Sequence, residues 1–484
     1  MRVKRIRRWI AMAAAVSCMM GTGAAVYGEG AEKTAISWWI CPTGAYADEE
    51  KVQSLVRAFE EDFPQIEVEV RILDEREGAG EMETALDAAD GPDVVLAAPE
   101  DIVTNWGNAG RMEDLSALWD EKTQSEFRSE MRDTAKNREG AWYAVPLFRD
   151  VFSMAINYDV FQEAGALQYL NEEVHSWKDN GFIDAVLRVH DVQVQNAESE
   201  LDAGDAADDA SDGAAGDASE DGIAAAAASD GIVGKVYCKD EIGQRAFMCF
   251  VSNFFNMGLV DEYRSSYKIG SGKIRDVFTT LRKLSGKGIE YDPQMNGDDE
   301  NEAFLNGEVF LTFNWDPAKQ KAAMEQNGGQ AQHIFPMMYP NAKNTPFLTG
   351  TVGALGVNAA KDQKQKDAAM SFVRYLMTDE DAYRDAVLLS GCFPARRRLN
   401  GRDLNGLYGD DETMKLYETF NEYYGTYEPT MELYPELDQA WPQLLRDLAD
   451  GAKIKGAVKD LEEELNEKLE EEYGIKPIEM EEEA

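Results

Sequence analysis

The stretch TAISWWICPTGAYADEEKVQSLVRAFEEDFPQIEVEV, residues 34–70, decides the fold class of this chain. Residues 35–40 are mostly apolar, which is typical of a buried strand. Apolar residues at helical spacing then predict a helix over residues 48–63, which Pro64 stops. Residues 66–70 alternate between apolar and acidic side chains, as a half-exposed strand does. A strand, a helix and a second strand in this order predict an α/β fold with a largely parallel sheet.

The pattern continues along the chain, and the chain length suggests how many such units there are. A turn at Gly91-Pro92-Asp93 leads into the apolar segment 94–96, which predicts another strand. With 484 residues and 44% hydrophobic content, the chain is too long for one ordinary domain and has enough apolar residues for two cores. We therefore predict two α/β lobes.

The N-terminal segment has the features of a signal peptide over residues 1–28. A cluster of cations at residues 2–8 is followed by an apolar run rich in Ala and Met, and no later run is long enough to span a membrane. Two cleavage sites stay open: small residues near Gly28 suit an ordinary signal peptidase, whereas residues 15–18 form an imperfect lipobox that would lipidate Cys18. We expect an exported protein, in the periplasm or at the extracellular face of the membrane, with or without a lipid anchor.

The formal net charge of −43 argues against two classes of partner. Nucleic acids and anionic membrane surfaces both need clustered cations, so we predict neither and expect a neutral or cationic ligand. The sequence has three scattered histidines and no metalloprotease, serine-hydrolase or phosphate-loop motif. We therefore predict no metal, no cofactor and no catalytic residue. A glycosidase would use paired carboxylates, but in so acidic a chain carboxylates pair by chance.

The four cysteines that follow the N-terminal segment show no spacing typical of a zinc site or a disulfide-rich module. They are Cys41, Cys238, Cys249 and Cys392. Isolated buried thiols and two disulfide bridges both stay open, because sequence alone does not choose the pairing.

Two later segments differ from the rest. Residues 196–231 contain Ala, Asp, Gly and Ser with several Glu, and no Lys or Arg, which predicts a disordered acidic insert. From about Lys459 the chain has Leu461, Leu465 and Leu469 at four-residue spacing before an acidic tail, which predicts a surface helix.

Seven short segments follow one another in the order seen in a known family. They are residues 59–68 (FEEDFPQIEV), 91–95 (GPDVV), 145–159 (VPLFRD through SMAINYD), 303–316 (AFLNGEV through TFNWD), 353–358 (GALGVN), 368–378 (AAMSFVRYLMT) and 391–396 (GCFPAR). Each is short and degenerate, but together they resemble family 1 of the extracellular solute-binding proteins, which includes maltose-binding protein. The resemblance covers nearly the whole chain after the N-terminal segment.

The resemblance implies a periplasmic-binding-protein fold with two mixed, largely parallel sheets. Each sheet belongs to one lobe, and the two lobes, joined by hinge strands, close on a sugar in the cleft between them. It places 34–150 and about 357–430 in the N-terminal lobe, and about 151–356 and 431–484 in the C-terminal lobe. The implied function is capture of a carbohydrate for an ABC importer, by a monomer that docks on membrane permease subunits. A sugar sensor or adhesion protein with the same fold, without transport, stays open.

Residues that match the family's sugar contacts are expected in the cleft. Aromatic faces would take the apolar patch of a sugar, and carboxylates would take its hydroxyls. The candidates are Trp315 and Trp441 as stacking rings, Asp316, Asp150 and Arg149 as polar contacts, Glu100 after the strand at 94–96, and Thr43, Tyr46 and Thr349 in turns. Maltose-binding protein has a tryptophan and an arginine where this chain has Ala97 and Asp101, so we expect a ligand other than maltose.

Overall fold

The computed structural model describes residues 33–74, 78–137, 139–178, 181–208, 231–255, 259, 266–270, 272–326, 334–341, 346, 348–427, 435–473 and 476. The predicted signal peptide, with Cys18, lies outside these residues. The strands are β1 Thr34–Ile40, β2 Ile66–Ile72, β3 Val94–Ala97, β4 Val145–Val151, β5 Ser153–Asn157, β6 Leu170–Asn171, β7 Ser176–Trp177, β8 Gly234–Val236, β9 Ile289–Tyr291, β10 Leu311–Trp315, β11 Ile334–Met337, β12 Leu348–Val357, β13 Phe393–Pro394, β14 Arg398–Leu399, β15 Arg402–Asp403 and β16 Tyr424–Tyr427.

The helices are α1 Glu49–Asp62, α2 Gly78–Ala85, α3 Glu121–Glu126, α4 Ser129–Thr134, α5 Tyr158–Glu163, α6 Gly181–Asp208, α7 Glu241–Phe255, α8 Gly272–Leu284, α9 Gly297–Leu305, α10 Pro317–Gln326, α11 Gln363–Thr378, α12 Glu380–Ser390, α13 Glu412–Asn421, α14 Pro435–Ala449 and α15 Ile454–Tyr473. A π-helix covers Glu100–Gly107. Across the described ranges, none of the helices has the length and apolarity needed to cross a membrane.

The first sheet has seven strands in the order β13-β4-β12-β3-β1-β2, with β16 paired to β12. Strand β1 runs parallel to both β2 and β3, as the strand-helix-strand pattern predicted. Strand β12 runs antiparallel to β3 and β4. The prediction of an α/β fold with mixed sheets is confirmed: β1 pairs in parallel with its neighbours, whereas β12 returns to this sheet antiparallel to β3 and β4. Trp38 on β1 packs edge-on against Phe372 of α11, with ring centroids 5.0 Å apart.

The second sheet has five strands in the order β11-β5-β10-β8-β9. Strand β5 runs antiparallel to β10 and β11, whereas β8 runs parallel to β10 and β9, so this sheet is also mixed. Helices α6 and α7 cover one of its faces, where Phe313 of β10 packs against Phe182 and Phe250. The two sheets form the cores of two lobes.

The chain passes from the first sheet to the second at Phe152. Val151 ends β4, Ser153 begins β5, and the Phe152 amide donates a hydrogen bond to the Thr349 carbonyl (3.0 Å). The return crossing lies before Leu348, because all of β12 pairs within the first sheet. The family resemblance had assigned residues up to 356 to the second lobe, and strand pairing moves that boundary about one strand earlier.

The acidic segment 196–231 is helical at its start. Helix α6 extends to Asp208, so the prediction of disorder is wrong for residues 196–208, and residues 209–230 lie outside the described residues. Ala, Glu and Leu are strong helix formers, and they carry the helix on from its packed first half. The prediction rested on charge composition and did not include the helix propensity of these residues.

The C-terminal helices are not on the surface throughout. Helices α14 and α15 pack on each other and on α7 and α8 beside the second sheet. Leu465 and Leu469 are each 1% exposed, so the face with four-residue spacing is part of the core. The prediction of a surface helix for this segment is wrong for that face.

Candidate functional site

Two carboxylates predicted from the sequence, one from each lobe, lie close enough for their charges to interact. Asp150 lies near the end of β4 in the first sheet, and Asp316 follows β10 in the second. Burial raises the pKa of Asp150 to about 7, and the nearby Asp316 carboxylate adds to this rise. Backbone and Asn421 hydrogen bonds oppose it in part. The fold thus brings Asp150 near Asp316, although the two are 166 positions apart in the sequence.

Hydrogen bonds fix one oxygen of each carboxylate. Asp150 Oδ1 accepts from its neighbouring Val151 amide at 2.8 Å and from Asn421 Nδ2 at 3.2 Å. Asp316 Oδ1 accepts from the Lys319 amide at 2.8 Å in the first turn of α10. Neither carboxylate forms an ion pair within the part of the chain that the structure describes. Both can therefore accept hydrogen bonds from a ligand.

Tyr417 of α13 belongs to the same site, and the sequence reasoning missed it. Its hydroxyl lies 3.0 Å from Ser153 Oγ, which donates to the Trp315 carbonyl at 2.8 Å. Burial raises the pKa of Tyr417 well above its usual range, and the Asp316 and Asp150 charges contribute. Tyr417 lies on an amphipathic helix with several other buried side chains, so no local pattern distinguished it from a core residue.

Tyr408 and Cys392 complete the first-lobe side of the site. The Tyr408 hydroxyl donates to the Cys392 carbonyl, and the ring is half-buried. Burial raises the pKa of the Cys392 thiol well above its usual range, with the Asp150 and Asp316 charges adding to the effect. The segment 391–396 marked this region in the sequence, but the sequence reasoning treated it only as a family landmark.

Trp315 does not present a ring for stacking. Its side chain is 2% exposed and packs edge-on against Phe304 of α9, with ring centroids 5.3 Å apart. Its indole Nε1 donates to Gln320 Oε1 at 2.8 Å. An irregularity in the β10 pairing between Thr312 and Trp315 interrupts the alternation of side chains. Trp315 therefore packs in the core of the second lobe, contrary to the predicted cleft position.

Arg149 also faces away from the cleft, although it is next to Asp150 in sequence. Successive residues of a strand point to opposite faces, and Arg149 is 1% exposed. Its Nη1 donates to the Asn421 carbonyl at 2.7 Å, and its guanidinium lies 5.2 Å from the Tyr424 ring centroid. Burial lowers the pKa of Arg149 to about 10, and the nearby Arg128 charge lowers it further. We therefore assign Arg149 a structural position.

Two of the predicted turn contacts are core residues. Tyr46 is 0% exposed, and its hydroxyl donates to the Ala386 carbonyl at 3.0 Å. Thr349 is also 0% exposed, and its amide donates to Asn253 Oδ1 at 3.0 Å. Both predictions are corrected, since these hydroxyl-bearing side chains are enclosed by protein.

Of the remaining predicted contacts, two are half-buried in the first lobe and the side chain of the third is not described. Thr43 is half-buried in the turn after β1, and Glu100 is half-buried at the start of the π-helix. Beside Glu100, burial raises the pKa of Asp101 to about 6. Trp441 lies in α14, but its side chain falls outside the described residues. Among the residues that the structure describes, no three His, Cys, Asp or Glu side chains gather as metal ligands.

Comparison with known families decides the relationship that the motif order suggested. Residues 54–400 match the family model for bacterial extracellular solute-binding protein, which covers more than half of the chain. The chain belongs to this family. The resemblance predicted from the seven segments is therefore confirmed. A search of curated proteins finds no match.

Solved structures with the same fold are distant in sequence from this solute-binding protein. The GacH receptor of Streptomyces glaucescens is 14% identical, with 90% of this chain and 99% of that chain covered and a TM-score of 0.61. The MalE sugar-binding protein of Xanthomonas citri is 16% identical over 91% and 99%, with a TM-score of 0.64. The cyclic alpha-maltosyl-1,6-maltose binding protein of Arthrobacter globiformis is 12% identical over 90% and 98%, with a TM-score of 0.67. These likenesses confirm the two-lobe fold.

Proposed function

We propose that this solute-binding protein captures a carbohydrate, an oligosaccharide or a related polar solute, between its lobes and delivers it to the membrane subunits of an ABC importer. The observation that carries the proposal is that Asp150 of the first lobe and Asp316 of the second lie close enough for their charges to interact. Beside them, Tyr417 of the first lobe hydrogen-bonds Ser153 of the second, which donates to the carbonyl of Trp315, the neighbour of Asp316. Carboxylates accept hydrogen bonds from sugar hydroxyls, and a group donated by each lobe links binding to closure.

The structural neighbours support the choice of ligand class. GacH was solved in complex with acarbose, and the Arthrobacter protein is named for a cyclic glycan. Another neighbour, from Thermotoga lettingae, was solved with alpha-D-tagatose. The net charge of −43 and the carboxylate pair favour a neutral or cationic sugar over an anionic one.

The test is isothermal titration of the purified protein against a panel of neutral, amino and acidic glycans. We expect heat from at least one neutral or amino glycan, and loss of that signal in the Asp150→Asn, Asp316→Asn double variant. Asp191→Asn is the matched control, because Asp191 is exposed on α6 away from the pair. Absence of binding to every glycan would contradict the proposal.

We also propose that the protein binds without chemical turnover and acts outside the cytoplasm. Two carboxylates alone would suit a glycosidase, so chromatography of each glycan after long incubation is the direct check. Unchanged glycans are expected, and turnover that Asp150→Asn abolishes would reverse the assignment. The export signal and the Cys18 anchor are tested by fractionation and by fatty-acid labelling of wild type and Cys18→Ala. A monomer is expected by light scattering.

A further inference from the structure

Helix α13 contacts the second lobe along one face. Thr413 and Tyr417 are four residues apart, so they share a face of the helix. The Tyr417 hydroxyl reaches Ser153 of the second sheet, and Thr413 Oγ1 lies 4.0 Å from Met324 Sδ on α10. Helix α13 itself belongs with the first lobe, because it packs on β4 and is flanked by β13 and β16 of the first sheet.

An ion pair extends this contact to the outer end of the helix. Lys321 Nζ on α10 lies 2.8 Å from Asp411 Oδ2, with the two side chains 41% and 35% exposed. Asp411 is the N-cap of α13, where its other oxygen, Oδ1, accepts from the Met414 amide at 3.0 Å. One oxygen therefore caps the first-lobe helix while the other binds a cation of the second lobe.

The ion pair connects the two helices that hold the candidate site. Helix α10 starts immediately after Asp316, and α13 carries Tyr417. Met324, one turn beyond Lys321 on α10, is 46% exposed beside Thr413. The contact between α10 and α13 is therefore partly exposed to solvent, and it includes one pair of opposite charges.

We infer that Lys321 and Asp411 are positioning residues for ligand capture, because their ion pair holds α10 against α13 and favours the arrangement in which Asp150, Asp316 and Tyr417 share one site. A contact made in the closed arrangement and lost on opening shifts the balance between the two. The inference rests on the proposed function, since capture is assumed to proceed by lobe closure. The pair itself acts without ligand and can be tested without one.

The test measures lobe separation in the ligand-free protein by electron-electron double resonance. Nitroxides are attached at Glu61→Cys on α1 and Lys283→Cys on α8, both exposed positions on different lobes, in a Cys41→Ser background. The variants are Lys321→Met and Asp411→Asn, singly and together. Asparagine caps helices as well as aspartate does, so Asp411→Asn removes the charge and keeps the cap.

At low salt we expect each single variant to lower the ratio of closed to open molecules by about two- to fivefold, which corresponds to about 0.4 to 1 kcal/mol. The double variant should match the singles, and Lys321→Arg should restore the wild-type ratio. In 0.5 M NaCl the wild type should approach the variants, because salt screens half-exposed charges. Melting temperatures should stay unchanged.

The matched control is Lys415→Met. Lys415 pairs with Asp410 at 3.0 Å on the first-lobe side alone, so its loss should leave the distances unchanged. Wild-type distances in Lys321→Met and Asp411→Asn, or an equal shift in Lys415→Met, would overturn the inference. Failure of every glycan to bind while the ion-pair variants still open the lobes would refute the proposed function and leave the ion pair established.

Discussion

Replacing Asp150 by Asn should change how the stability of the unliganded protein depends on pH. In the folded protein the pKa of Asp150 is raised from 3.8 to about 7, chiefly by burial. Below the unfolded pKa the carboxyl is protonated in both the folded and the unfolded state, so it does not change the free energy of unfolding. As the pH rises from the unfolded pKa to about 7, the unfolded chain releases this proton while the folded protein keeps it, so the folded state loses stability; above 7 the loss levels off. Asparagine keeps the oxygen that accepts from Val151 and Asn421 but does not ionise.

The magnitude follows from the size of the shift. A difference of one between the folded and unfolded pKa corresponds to about 1.4 kcal/mol of stability. The folded pKa of Asp150 is about 7, so the folded protein loses about twice this amount between pH 5 and pH 7. Asp150→Asn should therefore gain about 2 to 3 kcal/mol over wild type between pH 5 and pH 8. Both pH values lie above the sequence pI of about 4.4, so the protein is negatively charged throughout the experiment. Glu300 is a second buried carboxyl whose pKa is raised to about 7. It is present in both wild type and Asp150→Asn, so its titration cancels when their free energies of unfolding are subtracted.

Urea unfolding followed by fluorescence at the two pH values measures this difference, since the midpoint and slope give the free energy of unfolding. Asp191→Asn, an exposed position on α6, is the control and should follow wild type at both pH values. A constant difference between Asp150→Asn and wild type from pH 5 to pH 8 would refute the assignment of a raised pKa to Asp150. A difference from wild type in Asp191→Asn that grows with pH as it does in Asp150→Asn would point to the net charge instead.

Three further predictions concern buried side chains of the second lobe and the site. Glu300→Gln should stabilise the protein at pH 8 more than at pH 5, because burial raises the pKa of Glu300 to about 7; equal effects at both pH values in urea unfolding would contradict this. Trp315→Ala should lower the free energy of unfolding by about 3 to 5 kcal/mol, the usual cost of a large buried ring, whereas a normal midpoint with weakened glycan binding would show a stacking role instead. Tyr417→Phe removes the hydrogen bond to Ser153 and should lower the free energy of unfolding by about 0.5 to 1.5 kcal/mol, with wild-type stability as the contrary result.

Much of the fold could be predicted because its strands and helices depend on residues that are close together in the sequence. The apolar run of β1, the amphipathic α1 with Asp48 at its N-cap, and the alternating β2 all formed where their spacing indicated. The residues that end each element, such as Asp48 and Pro64, act on their immediate neighbours. Local patterns of this kind need no knowledge of the rest of the chain.

The site was only partly predictable, because a residue's face depends on partners far away in sequence. Asp150 and Arg149 are adjacent, and alternation predicts that they point to opposite sides of β4 without saying which side is the cleft. Trp315 followed the family's position for a stacking ring, but an irregularity in β10 pairing and the ring of Phe304 decide its burial.

The α/β class, the family with its seven ordered segments, and the candidate carboxylates Asp150 and Asp316 were all predictable from local sequence patterns. The packing of distant segments shows that the charges of these two residues interact, that Tyr417 hydrogen-bonds Ser153, 264 positions away, and that Trp315 and Arg149 are enclosed. The physical reason is the range of the interactions. Hydrophobic periodicity predicts which face of a helix or strand is buried. The residues that cover that face depend on tertiary packing, here the packing of β4, β10 and α13.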